Sequence, residues 1–159
     1  MVPLHRRLKM FIAGLLTAAL PGVATGQVVE GQPNPFPAEQ IVLEALSMSP
    51  PGVTSAIVAG RLDQPGIYVL RNRWPPDTAL GPHTHGDAVR VYTILEGEVW
   101  WGFGEEQDES RMVRLGPGSV AYTGPGMAPH YFRTGAEGAV FNVVATGPFV
   151  TTMVERPVR

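Results

Sequence analysis

The sequence predicts an all-β protein, an antiparallel sandwich or barrel built from short strands. Three observations point there. Gly (19) and Pro (16) together fill more than a fifth of the 159 positions, a density of turn formers that bundles and coiled coils do not tolerate. Beyond residue 26 no run combines helix caps with an apolar period of 3.6. Short runs rich in β-branched and aromatic residues instead recur at near-regular spacing with turn residues between them.

The elements follow in order. QVVEGQPNPFP (27–37) is too rich in Pro and Gly for regular structure and reads as a linker or arm, 27–40. IVLEAL (41–46) is a first short strand. Pro50, Pro51 and Gly52 break the chain, and TSAIVAG (54–60) follows. After the DQPG turn (63–66), IYVLRNRW (67–74) alternates apolar and polar residues as a half-buried strand does. Pro75, Pro76 and Asp77 make another turn. VRVYTIL (89–95) is strongly β. Glu96-Gly97 is expected to turn a hairpin from which EVWWGFG (98–104) returns. EEQDES (105–110) is an acidic loop. MVRL (112–115), SVAYT (119–123), HYFRT (130–134), AVFNVVAT (139–146) and FVTTMVE (149–155) are further strands.

Composition excludes several classes of function. With no Cys there is no disulfide scaffold, thiolate metal site, Cys nucleophile or lipidated anchor. A net charge of −2 gives no reason to expect a nucleic-acid partner. The charge is uneven, however. Arg6, Arg7 and Lys9 precede the apolar run MFIAGLLTAALPGVA, and Ala24 and Gly26 are small residues at its exit, while every acid lies beyond Gln27. That is the pattern of a cleaved signal, 1–26, and the mature protein is expected to begin near Gln27 in a periplasm or outside the cell, free of the membrane. The alternative is a membrane anchor, but the run is about 15 residues where a span needs roughly 20. Residues 41–159 are then one domain.

The chemical signal is histidine. His5 falls in the expected signal. His83 and His85 form H-T-H, and His130 follows Ala-Pro in the second half. On a strand, residues two apart share a face, so His83 and His85 present adjacent imidazoles, about 6–7 Å apart at Cα. Two neutral imidazoles facing one point are a ready chelate; two solvent-facing loop histidines are the other reading.

The segment GPHTHGDAVRVYTILEG (81–97) resembles the first motif of the cupin superfamily, in which His-x-His precedes a Glu and then a Gly. His83, His85 and Gly97 are in place; Arg90 stands at the Glu position, and Asp77 where a Gly is usual. GPGSVAYTGPGMAPH (116–130) resembles the second motif. Gly118 and Gly126 match, Gly124 stands where Pro is usual, His130 comes one residue late, and Thr134 replaces an Asn. The run as a whole is similar to small, secreted, single-domain cupins. The resemblance implies a jelly-roll barrel and a divalent metal ion (zinc, nickel, manganese or iron) on His83, His85 and His130. It also implies a homodimer, and an activity of the oxygenase, isomerase or lyase type. A metal-free acid–base cupin or a non-catalytic binding module are the alternatives.

If Glu96-Gly97 turns a two-residue hairpin, Arg90, Tyr92, Ile94, Val99, Trp101 and Phe103 share one face. In a cupin the face with the Glu position looks inward, so Tyr92, Trp101 and Phe103 would line the pocket beside the metal, or simply form core. Among carboxylates only Asp87, two residues after His85, is placed to replace the missing Glu. Arg90 is read either as a site residue, adding positive charge that favours an anionic or enolisable small molecule, or as a strand-end residue paired with Asp87 or an acid of the 105–109 loop. Arg90 and Tyr92 are therefore the candidate catalytic residues, and Trp101 and Phe103 the candidate pocket residues. Trp100, on the opposite face, is a candidate dimer contact.

Overall fold

A computed structural model describes residues 37–155, apart from residue 48. The expected signal segment and most of the 27–40 arm lie outside the described residues. At the arm's end Ala38–Gln40 form a single exposed 3₁₀ turn. Among the described residues eight strands follow: β1 (Thr54–Ala59), β2 (Gly66–Trp74), β3 (Ala79–Thr84), β4 (Arg90–Phe103), β5 (Val113–Leu115), β6 (Val120–Thr123), β7 (His130–Gly147) and β8 (Thr152–Met153).

All pairings are antiparallel, and two long strands serve both layers of the barrel. Residues 90–97 of β4 lie between β6 and residues 139–147 of β7, which continue to β2 and β1. Residues 99–103 of β4 lie between β5 and residues 130–134 of β7, which continue to β3 and β8. One layer thus runs β1-β2-β7-β4-β6 and the other β8-β3-β7-β4-β5. The core between them includes Leu70, Trp74, Tyr92, Ile94, Val99, Trp101, Phe132, Phe141 and Val143, all buried.

The hairpin expected at Glu96-Gly97 does not form. Both residues stay in β4, opposite Val140 and Ala139, and the register slips on either side of them. Here β4 bends from one layer into the other, and β7 bends beside it through residues 135–138. Gly97 (φ 68°) and Gly138 (φ 70°) both adopt the left-handed region. A Cβ on Gly97 would sit 2.0 Å from the Gly138 carbonyl oxygen, so only glycine lets the two bends approach. An irregularity reverses side-chain parity as a two-residue turn would. Arg90, Tyr92, Ile94, Val99 and Trp101 therefore all face inward in spite of the different connectivity.

Two further elements differ from expectation. The strand expected at 41–46 is reduced to one bridge, Glu44 to Ser55; none of its residues is fully buried, and of them only Leu46 packs against the core. Conversely, β3 carries Gly81 and Pro82, which disguise it as a loop. Proline's missing N–H falls where β3 slips register against β7, and its carbonyl accepts from Val154 N at 2.9 Å. Asp77, at the position where the motif has Gly, has φ 49°. The left-handed conformation is retained by one of the few other residues that tolerate it.

Candidate metal centre

Three elements deliver the histidines. His83 lies near the end of β3 and pairs directly with His130, the first residue of β7. His85 sits just past β3, in the turn leading to β4, rather than on the strand. All three are buried, at 1%, 6% and 1% exposure for His83, His85 and His130. Each offers one ring nitrogen within 4.8 Å of the others. Ring centroids are 4.1 Å apart for His83–His130, 4.9 Å for His83–His85 and 5.0 Å for His85–His130. Among the described residues no carboxylate joins the cluster. Asp87 is exposed and borders a second, smaller cavity that His85 and His130 also line.

Hydrogen bonds fix the tautomers. His83 Nδ1 lies 2.8 Å from the Gly81 carbonyl oxygen and His85 Nδ1 lies 2.9 Å from that of Val150. A carbonyl can only accept, so each Nδ1 carries the proton and each Nε2 is left with its lone pair. His130 Nε2 is buried without a partner. The rings are held neutral. Burial, then the Arg90 charge, pushes His85 down to about 3. Burial, then its two histidine neighbours and Arg90, pushes His130 down to about 2. Burial lowers His83 as well, against the Gly81 carbonyl, which favours its charged form. A divalent ion fits this donor set: three neutral imidazoles, two pre-oriented by backbone carbonyls, and a third whose buried Nε2 has no partner among the described residues.

Arg90 is 3% exposed and lines the same cavity as His83, His85 and Tyr92. It makes no pair with Asp87 or the 105–109 loop. Its Nη2 donates to the Val150 carbonyl at 2.8 Å, and the guanidinium lies 4.5 Å above the Phe149 ring. The Val150 carbonyl thus orients both Arg90 and His85. Arg90 Nε is buried without a partner among the described residues, and a buried cation with no carboxylate beside it is costly by itself and attracts an anion into the cavity. Tyr92, 4% exposed, places its hydroxyl 3.0 Å from His85 Nε2, to which it donates. Burial drives its ionisation up to about 12, so it remains a donor at neutral pH.

Trp101 and Phe103 do not line this cavity. Trp101 lies flat against His130 (4.8 Å, 7°) and Phe132 (5.6 Å, 7°), filling the core behind the site. Phe103 ends β4 beyond the reach of β5, whose pairing stops at Trp101, and is 42% exposed. Both border a separate groove beside β5 and β6 instead. The inner cavity, about 380 Å³, is walled by Trp74, Leu80, Phe132 and Phe141 and closed on one side by Phe149, Thr151 and Met153. It also takes in Ser55 and Asn72. Sequence reasoning missed these, since only the alternation in β2 hinted that Asn72 faces inward. It missed Thr134 as well, a fully buried hydroxyl that donates to the Pro75 carbonyl at 2.6 Å and ties the 75–78 turn to β7.

Comparison with known proteins bears on the fold. No family model matches the chain. A germin-like protein 2-2 of Oryza sativa subsp. japonica is 30% identical over 81 residues, which is 50% of this chain but only 36% of that protein. Among solved structures, the polyketide cyclase RemF of Streptomyces resistomycificus superposes with a TM-score of 0.60 at 18% identity, covering 79% of this chain and 87% of its own. An RmlC-like cupin of Shewanella frigidimarina NCIMB 400 gives 0.52 at 13%, covering 70% and 87%. The two bent strands that serve both layers build an antiparallel double-stranded β-helix, and the chain shares with these neighbours the cupin fold.

Proposed function

We propose that the chain is an exported, metal-dependent cupin enzyme acting on a small acidic or enolisable molecule inside the barrel. The observation that carries this reading is the convergence of three buried, neutral imidazoles on one point, with His130 Nε2 left without a partner. His83, His85 and His130 would hold the ion, which supplies a Lewis acid with positions open to a ligand. Arg90 receives the anionic group of the substrate, its orientation set by Val150 and Phe149. With His85 Nε2 given to the ion, the Tyr92 hydroxyl that now donates to that nitrogen would be free, and Tyr92, protonated at neutral pH, would then donate to an oxygen where negative charge develops. The apolar walls keep water away from these charges and so strengthen them. Metal analysis after dialysis against zinc, nickel, manganese or ferrous iron tests the centre. One ion per chain is expected, lost in His83→Ala, His85→Ala and His130→Ala, and absence of uptake from every metal refutes it. A panel of carboxylates and enolisable carbonyl compounds, with and without metal, then reads turnover.

One observation favours a second reading. The Tyr92 hydroxyl already bonds His85 Nε2, so a protonated donor is held in the cavity without metal. That reading expects turnover to survive chelation and to vanish in Tyr92→Phe, whereas the first expects turnover to vanish on chelation.

A further inference from the structure

The cavity has a second polar end. Ser55 on β1 and Asn72 on β2 are directly paired across the ladder, and Ser55 Oγ donates to Asn72 Oδ1 at 2.7 Å. Both are buried, at 3% and 8% exposure, and both line the cavity that His83, His85 and Arg90 also line. Their neighbours on the same face of β2 are Leu70 and Trp74, buried at 4% and 7%. In such a wall an apolar pair would pack at no desolvation cost, whereas a polar pair must have its groups satisfied. The Ser55 bond uses the amide oxygen and leaves the amide nitrogen, with its two donors, to the cavity.

Register places this pair relative to the head of the site. Asn72 lies opposite Phe141, and Phe141 opposite Ile94; Tyr68 lies opposite Ala145, and Ala145 opposite Arg90. Arg90 and Ile94 are four residues apart on β4, so the Ser55–Asn72 level sits about 13 Å from the Arg90 level along the strands. Between them lie Leu70, Val143 and Tyr92, with Phe141 at the Asn72 level and Phe132 on the other layer, so the wall is largely apolar and aromatic.

We propose that Ser55 and Asn72 form a tail subsite, and that the ligand of this cavity is an elongated acid with a flat apolar middle and an oxygen acceptor at its far end. The acidic head rests on the function proposed above; the tail does not, and the two are separable by experiment. The probes are 3-phenylpropanoate, 3-(4-hydroxyphenyl)propanoate and the two corresponding neutral amides, titrated into zinc-loaded full-length protein by calorimetry. The distal hydroxyl is expected to tighten binding about five- to tenfold in both the acid and the amide pairs. That gain should shrink below about twofold in Asn72→Leu, and likewise in Ser55→Val, with affinity for the unsubstituted acid retained. Using both variants guards against misfolding of either. The tail proposal is overturned if the hydroxyl gives no gain in the native protein, if the gain persists in both variants, or if none of the four compounds binds. Acids that bind no tighter than amides while the hydroxyl gain persists would instead refute the anionic head and uphold the tail.

Discussion

Acidifying the metal-free protein from pH 7.5 to pH 5.0 should destabilise it through its buried histidines. An unfolded histidine titrates near 6.5, whereas in the fold burial holds His85 near 3 and His130 near 2. The unfolded chain therefore binds more protons than the native one throughout this interval, and stability falls as pH falls. The stabilisation is complete above about pH 6.5 and is lost progressively below it, down to the folded-state values. Over the stated interval each such histidine contributes about 2 kcal/mol, so the two together contribute about 4 kcal/mol. His83, also lowered, acts in the same direction. That is a large share of the roughly 5–15 kcal/mol that holds a domain of this size. The carboxylates held low by partners, Asp63 by Arg61, Asp108 by Ser110 and Glu98 by Arg114, titrate below this window. Urea unfolding of chelator-treated protein, followed by tryptophan fluorescence, provides the measurement. With a slope of about 2 kcal/mol/M the midpoint should drop by roughly 2 M, and His130→Gln should halve the drop. An unchanged midpoint between the two pH values, or the same drop in His130→Gln, would show that these rings are not held neutral by the fold.

Three further outcomes are expected. Arg90→Glu adds a carboxylate beside the three imidazoles and removes a cation, so metal affinity should rise tenfold or more, about 1.4 kcal/mol. Carboxylate binding should weaken in the same variant. Arg90→Gln should keep the metal and lose the preference for anions, and paired titrations of zinc and 3-phenylpropanoate read both. Trp101→Ala removes the indole stacked on His130 and Phe132 and should cost about 3–5 kcal/mol in urea unfolding, with metal affinity falling as His130 loses its support. The homodimer expected from the outward-facing Trp100 should give twice the chain mass by light scattering at high micromolar concentration; a strictly monomeric mass would count against it.

How much of this was legible in the sequence depended on the distance over which each feature is decided. Strand content was readable, because alternation and turn residues are local. The face carrying Arg90, Tyr92 and Trp101 was readable even with the wrong connectivity, since a two-residue turn and a strand irregularity reverse parity alike. Whether Glu96-Gly97 turns back or runs on was not readable. That choice belongs to β7, whose Val140 and Ala139 take the partners a hairpin would have supplied, and to Gly138, which clears the space. β3 was only half legible: the spacing of His83 and His85 suits strand geometry, but Gly81 and Pro82 blur the local pattern, and the proline's absent donor falls at a register slip.

The site divides the same way. The histidines were visible because few residue types hold a metal, and their spacing survives almost any fold. The direction of Arg90 was open because its anchors, Phe149 and the Val150 carbonyl, lie some 60 residues away, and a carbonyl has no sequence signature. The same oxygen holds the His85 tautomer. A change that shifts the 148–151 segment while keeping all seven candidate site residues should therefore disturb His85 and Arg90 together. Phe149→Ala is such a change: it removes the ring beneath the guanidinium and loosens the backbone that presents Val150. Zinc affinity and carboxylate affinity should both fall in this variant. If carboxylate binding fell alone, Phe149 would serve Arg90 only through its ring, and the shared carbonyl would not couple the two halves of the site.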